Sequence, residues 1–120
     1  ETVRDAFEFM SSRIAACEAQ VLVAEAGASP LEPYNGAIVV EHLRDLACFT
    51  VLCASDPYAV LGVQTAYGAG LRADLVTGPA ANTEAAITLV HELCGHRAMN
   101  LLDRKTYPEL VALLKQALKL

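Results

Sequence analysis

The polar residues that interrupt apolar sequence are where this chain could do chemistry. Glu25 stands at the end of the apolar run QVLVAEAG (20–27). A carboxylate in such a setting needs a cation, a metal or backbone N–H groups. It would act as an acid/base or metal-linked group, or else cap amides in a turn. Ser29 and Asn35 follow in GASPLEPYNG (27–36), a loop stiffened by Pro30 and Pro33. Asp56 closes the run CFTVLCAS (48–55) and precedes Pro57, the usual composition of a helix start. Thr77, Gly78, Asn82 and Thr83 lie in TGPAANTE (77–84). There Gly78 and Pro79 permit a tight turn, and Ala80 and Ala81 leave room for something to approach. Asn82 and Thr83 would open a helix, whose free N–H groups and dipole favour an anion. The same two residues are also ordinary N-caps that need no ligand.

Other chemistries find less in the sequence. HELCGH (91–96) approaches the zinc motif HExxH, but its histidines are five residues apart. On a helix that spacing turns them about 140° away from each other. His91 and Glu92 therefore read as exposed helix residues and Gly95 as a helix stop. We expect no metal site. No GxxxxGK[ST] phosphate loop, GxGxxG fingerprint or GxSxG elbow occurs. The residues specify no cofactor and leave open whether the chain is an enzyme; Glu25 or Asp56 would be its acid or base.

These residues must be positioned by regular elements, and the apolar pattern suggests which. Val3, Phe7, Met10, Ile14 and Cys17 recur at helical spacing, so residues 1–18 read as an amphipathic helix. Four apolar runs, QVLVAEAG, CFTVLCAS, ADLVTGPA (73–80) and HRAMNLLD (96–103), end in turn residues and suit buried strands. Between and after them lie helix-like segments starting at Asn35, at Asp56, at Asn82 or Thr83, and at Thr106. The last has Thr106 and Glu109 in capping-box spacing and a stripe of Leu110, Leu113, Leu114, Ala117 and Leu118. Helix, then strand–helix four times, predicts a three-layer α/β/α domain with a four-stranded, mainly parallel sheet. The competing architecture is an all-α bundle, with 36–54 as one buried helix.

In a parallel sheet, ligands bind outside the carboxyl ends of the strands. That rule gathers Glu25, Ser29, Asn35, Ser55, Asp56, Thr77, Gly78, Asn82, Thr83, Asp103, Arg104 and Lys105 at one edge. It predicts binding of a small anionic ligand or nucleotide there. The alternative is a homo-oligomeric assembly module with no small-molecule site.

Bulk properties narrow the partners. At 120 residues the chain is expected to form one domain, 1–120. Its opening on Glu1 leads us to expect a fragment or C-terminal domain of a longer protein. A net charge of −5 with nine scattered Lys and Arg argues against nucleic acid. No apolar stretch is long enough for a membrane helix. With 54% hydrophobic residues, apolar surface is expected at a subunit or domain interface. The four cysteines form no CxxC and read as buried thiols in a reducing cytoplasm.

VLVAEAGAS, VLCASDP and LVTGPAAN together resemble the C-terminal half of P-loop NTPases of the dethiobiotin-synthetase-like kind, over about residues 20–103. The resemblance implies a magnesium-side carboxylate at Glu25 and a base-contacting amide at Asn82. The phosphate loop of that family is missing from this sequence.

Overall fold

A computed structural model describes residues 2–120. They divide into two compact units, Glu1–Leu43 and Arg44–Leu120.

In the second unit a short strand β1 (Val51–Cys53) leads through helix α3 (Pro57–Tyr67) to strand β2 (Leu75–Thr77). The strands are parallel, with Val51 opposite Leu75 and Cys53 opposite Thr77. Helix α4 (Glu84–Cys94) then returns the chain to the other side of β2, where Ala98 bridges Val76 in parallel. Val76 N donates to Arg97 O at 2.8 Å and Met99 N donates to Val76 O at 3.0 Å. β2 is thus the central line of the sheet. Helix α5 (Tyr107–Leu118) closes the chain.

Two crossovers in the same direction, with the usual hand, place α3 and α4 on the same face. The packing of α3 against α4 agrees with this. The core lies between them and the sheet: Val60 from α3, Val90 and Cys94 from α4, Val76 from β2, with Ala54, Ala73 and Ala80. These two helices are cut where the sequence signals it. The Asp56 carboxylate accepts from Ala59 N at 2.9 Å with Pro57 behind it, starting α3. The Thr83 hydroxyl accepts from Ala86 N at 3.2 Å, starting α4. Gly95 ends α4 at φ 67°, in the left-handed region that glycine enters without penalty.

The first unit holds helix α1 (Thr2–Ala15) and all but the last residue of helix α2 (Gly36–Arg44), and both helices are amphipathic. Phe7 and His42 bring their rings to 5.0 Å, and Arg4 pairs with Glu41 at 3.1 Å. Gly36 packs so tightly that an added Cβ would lie 2.6 Å from Ser29 O.

Several expectations are corrected. The chain is mostly helical, with five α-helices and a two-stranded parallel sheet among the described residues. It is neither a four-stranded sheet nor three layers. The all-α alternative fails too, because 36–54 divides into α2 and β1. Residues 20–27 form no strand: Val21, Leu22 and Val23 are exposed, Val23 by 89%. The run had composition but no partner, and a strand exists only by cross-strand pairing. HRAMNLLD contributes one bridge rather than a strand. Cys17, Cys48 and Cys53 are exposed; Cys94 alone is buried, and its thiol is pushed up by burial. The Thr106 hydroxyl does not cap α5. It donates to Asn100 O at 3.1 Å and Asp103 O at 2.8 Å, so no capping box forms.

Among the described residues, no helix is long and apolar enough to cross a membrane.

Candidate functional site at the carboxyl edge of the sheet

The carboxyl ends of β1 and β2 are stitched together by their own exit loops. Ala54 N donates to Thr77 O at 3.0 Å, and Ala80 N donates back to Ala54 O at 3.0 Å. This closeness fixes residue 78. Gly78 has φ 87°, and a Cβ there would come within 2.8 Å of Ala54 O. The sequence needs glycine at this point because two backbones touch. The turn then continues through Pro79–Ala81 as a single 3-10 turn, with Ala80 and Ala81 fully buried. The small residues expected to make room for a ligand are filled by the protein itself.

α3 and α4 both begin at this edge, so both positive helix ends face it. At the start of α3, Ser55 Oγ donates to Asp56 Oδ2 at 2.7 Å, and Oδ1 takes the Ala59 N–H. These bonds, that from Ser55 first, hold the Asp56 carboxyl below the ordinary carboxylate range. Asp56 is therefore an acceptor with fixed negative charge at neutral pH. Asn82 is exposed, and its main-chain carbonyl accepts from Asn100 Nδ2 at 3.4 Å.

Asn100 is a residue that the sequence reading missed. It leaves the Ala98 segment and reaches the Asn82 loop, while its Oδ1 accepts from Leu102 N at 3.0 Å. Its signal was present: a single amide interrupting the apolar run HRAMNLLD, between Met99 and Leu101. Thr77, by contrast, is buried. Its hydroxyl donates to Met99 O at 3.0 Å, tying β2 to the next segment.

Of the residues expected to converge, Asp56, Thr77, Gly78, Asn82 and Thr83 share this unit. Glu25, Ser29 and Asn35 belong to Glu1–Leu43. Ser29 Oγ accepts from Leu31 N at 3.2 Å, the local turn that serine commonly makes. Asn35, at φ 65°, starts α2 through its carbonyl, which accepts from Ile38 N and Val39 N. Glu25 is exposed and outside any helix or strand. Asp103 accepts from Lys105 N at 3.0 Å, and Arg104 and Lys105 are exposed beside it. His91 and Glu92 are exposed on α4 as expected. No cluster of three or more metal-ligating side chains occurs among the described residues.

The chain matches no protein-family model, no curated protein and no solved structure.

Proposed function

We propose that Arg44–Leu120 is a binding module for a small anionic ligand, a nucleotide in the first instance, seated at the carboxyl edge of β1 and β2. The observation that carries this reading is the gathering at one edge of two helix N-termini and two glycine- or proline-turned exit loops. Charge sets the ligand's orientation. The ionised Asp56 repels a phosphate and accepts hydroxyl or amine donors, so it faces the neutral part. The first turn of α4, beside Asn82 and Thr83, takes the charged part. The resemblance to dethiobiotin-synthetase-like NTPases adds a base contact for the Asn82 carboxamide.

Thermal unfolding tests the reading. Nucleotides or phosphate should raise Tm, because a ligand of the native state stabilises by about 2.7 kcal/mol at a hundredfold excess over Kd. Asn82→Ala should abolish the rise. A nucleotide panel that leaves Tm unmoved would sink the proposal.

A second reading is a homo-oligomeric assembly module. It is favoured by the exposure of large apolar side chains, including Val23, Leu102 at 82% and Leu120 at 80%. Light scattering should then give a dimer or larger species, and a monomer at high concentration removes this reading.

A further inference from the structure

The turn into α2 sets Asn35 beside Gly36, and the fold fixes both residues. Asn35 has φ 65°, in the left-handed region that asparagine enters more readily than most side chains. Its carbonyl accepts from Ile38 N at 3.1 Å and Val39 N at 3.2 Å, so this conformation starts the helix. Gly36 is buried, and an added Cβ would lie 2.6 Å from Ser29 O and 2.7 Å from Pro30 Cα. No larger residue fits there unless the backbone moves.

An asparagine followed by glycine is open to attack by its own chain. The next backbone nitrogen can close on the side-chain amide where no Cβ hinders the approach. At this turn neither reacting group is held elsewhere. The Asn35 side chain is exposed and forms no hydrogen bond among the described residues. Gly36 N stands in the first turn of α2, where no intrahelical acceptor exists, and it takes no other partner there. Asn82 and Asn100 differ. Asn100 spends its amide nitrogen on Asn82 O and its oxygen on Leu102 N, and leucine follows it. Asn82 is followed by the β-branched Thr83.

We propose that Asn35 is a site of spontaneous deamidation, and that its conversion unlatches the start of α2. Gly36 N bonds to Asn35 Cγ, the Cγ–Nδ2 bond breaks, and ammonia leaves with the Gly36 amide proton. Ring closure turns this peptide out of the first helical turn, so fraying at this end sets its rate. Water then opens the cyclic imide without any change of oxidation state. Cleavage of the new Cγ–N bond leaves aspartate. Cleavage of the original peptide bond leaves isoaspartate, with the main chain routed through Cβ and Cγ. Aspartate keeps the carbonyl in place and adds a charge that a helix N-terminus favours. Isoaspartate turns that carbonyl into a free carboxylate and lengthens the chain by one carbon, so Ile38 N and Val39 N lose their acceptor.

Ageing of the full chain in warm, mildly alkaline buffer tests this, with peptide mass spectrometry as the readout. Asn35 should lose its amide before Asn82 and Asn100 and give both aspartate and isoaspartate. Hydrogen exchange followed by NMR should show Ile38 and Val39 losing protection in the isoaspartate form. Asn35→Asp should keep that protection, which separates the added charge from the altered backbone. The proposal is overturned by equal survival of the three amides, by aspartate as the sole product, or by undiminished protection of Ile38 and Val39 in the isoaspartate form.

Discussion

Residues 20–27 and 73–80 look alike on paper and end differently. Both are short apolar runs with valine, each stopped by glycine and a nearby proline. In ADLVTGPA, Leu75 and Val76 are fully buried, and the strand is hydrogen-bonded on both sides. In QVLVAEAG the valines are exposed coil. The difference is company rather than composition. β2 has β1 and the Ala98 segment as neighbours and two helices over one face. Residues 20–27 have no sheet partner among the described residues.

The largest expected effect that could break this comparison is in the core. Leu75→Ala should cost about 2–5 kcal/mol in urea unfolding, as truncation of a fully buried leucine does. Val23→Ala should stay within about 0.5 kcal/mol, the range of surface changes. Equal losses at both positions would mean that 20–27 is packed after all.

The glycines sharpen the same contrast. Gly78→Ala should destabilise by about 1–3 kcal/mol through backbone strain, plus the clash with Ala54 O. Gly27 meets no atom within 4 Å, so Gly27→Ala should be neutral or slightly stabilising. Comparison of the two denaturation midpoints decides it.

Smaller effects lie at the helix starts. Thr83→Ala should cost about 1 kcal/mol through the lost cap of α4. Asp56 adds a pH signature. Its folded pKa is lowered, so its contribution is complete above the ordinary carboxylate pKa and is lost as pH falls through the folded value. The stability gap between wild type and Asp56→Asn should therefore close on acidification. A gap that persists well below the ordinary carboxylate range would contradict the capping geometry.

The smallest perturbation is chemical labelling without mutation. A thiol reagent should modify Cys17, Cys48 and Cys53 in the native protein and Cys94 only on unfolding. Early labelling of Cys94 would show that the α4 face of the core opens readily.

Helices were the legible part of this chain. All five lie in segments read as helical, and Asp56, Pro57, Thr83 and Gly95 act as read, but α1 stops at Ala15 rather than residue 18 and α5 starts without its capping box. The predicted stripe on the last helix, Leu110, Leu113, Leu114, Ala117 and Leu118, is the half-buried face of α5. The candidate site was legible only as a set of loop ends. Asp56 and Thr83 were found by their chemistry, but Asn100 gained meaning only through its reach to Asn82.

The sequence by itself determined which segments are helical and where α3 and α4 begin and stop, because capping bonds and the 3.6-residue spacing join neighbours along the chain. Tertiary structure alone decided which apolar runs became strands, which cysteines were buried and why residue 78 must be glycine. Those outcomes depend on atoms brought together from distant positions, as Gly78 and Ala54 are, and no local pattern encodes that meeting.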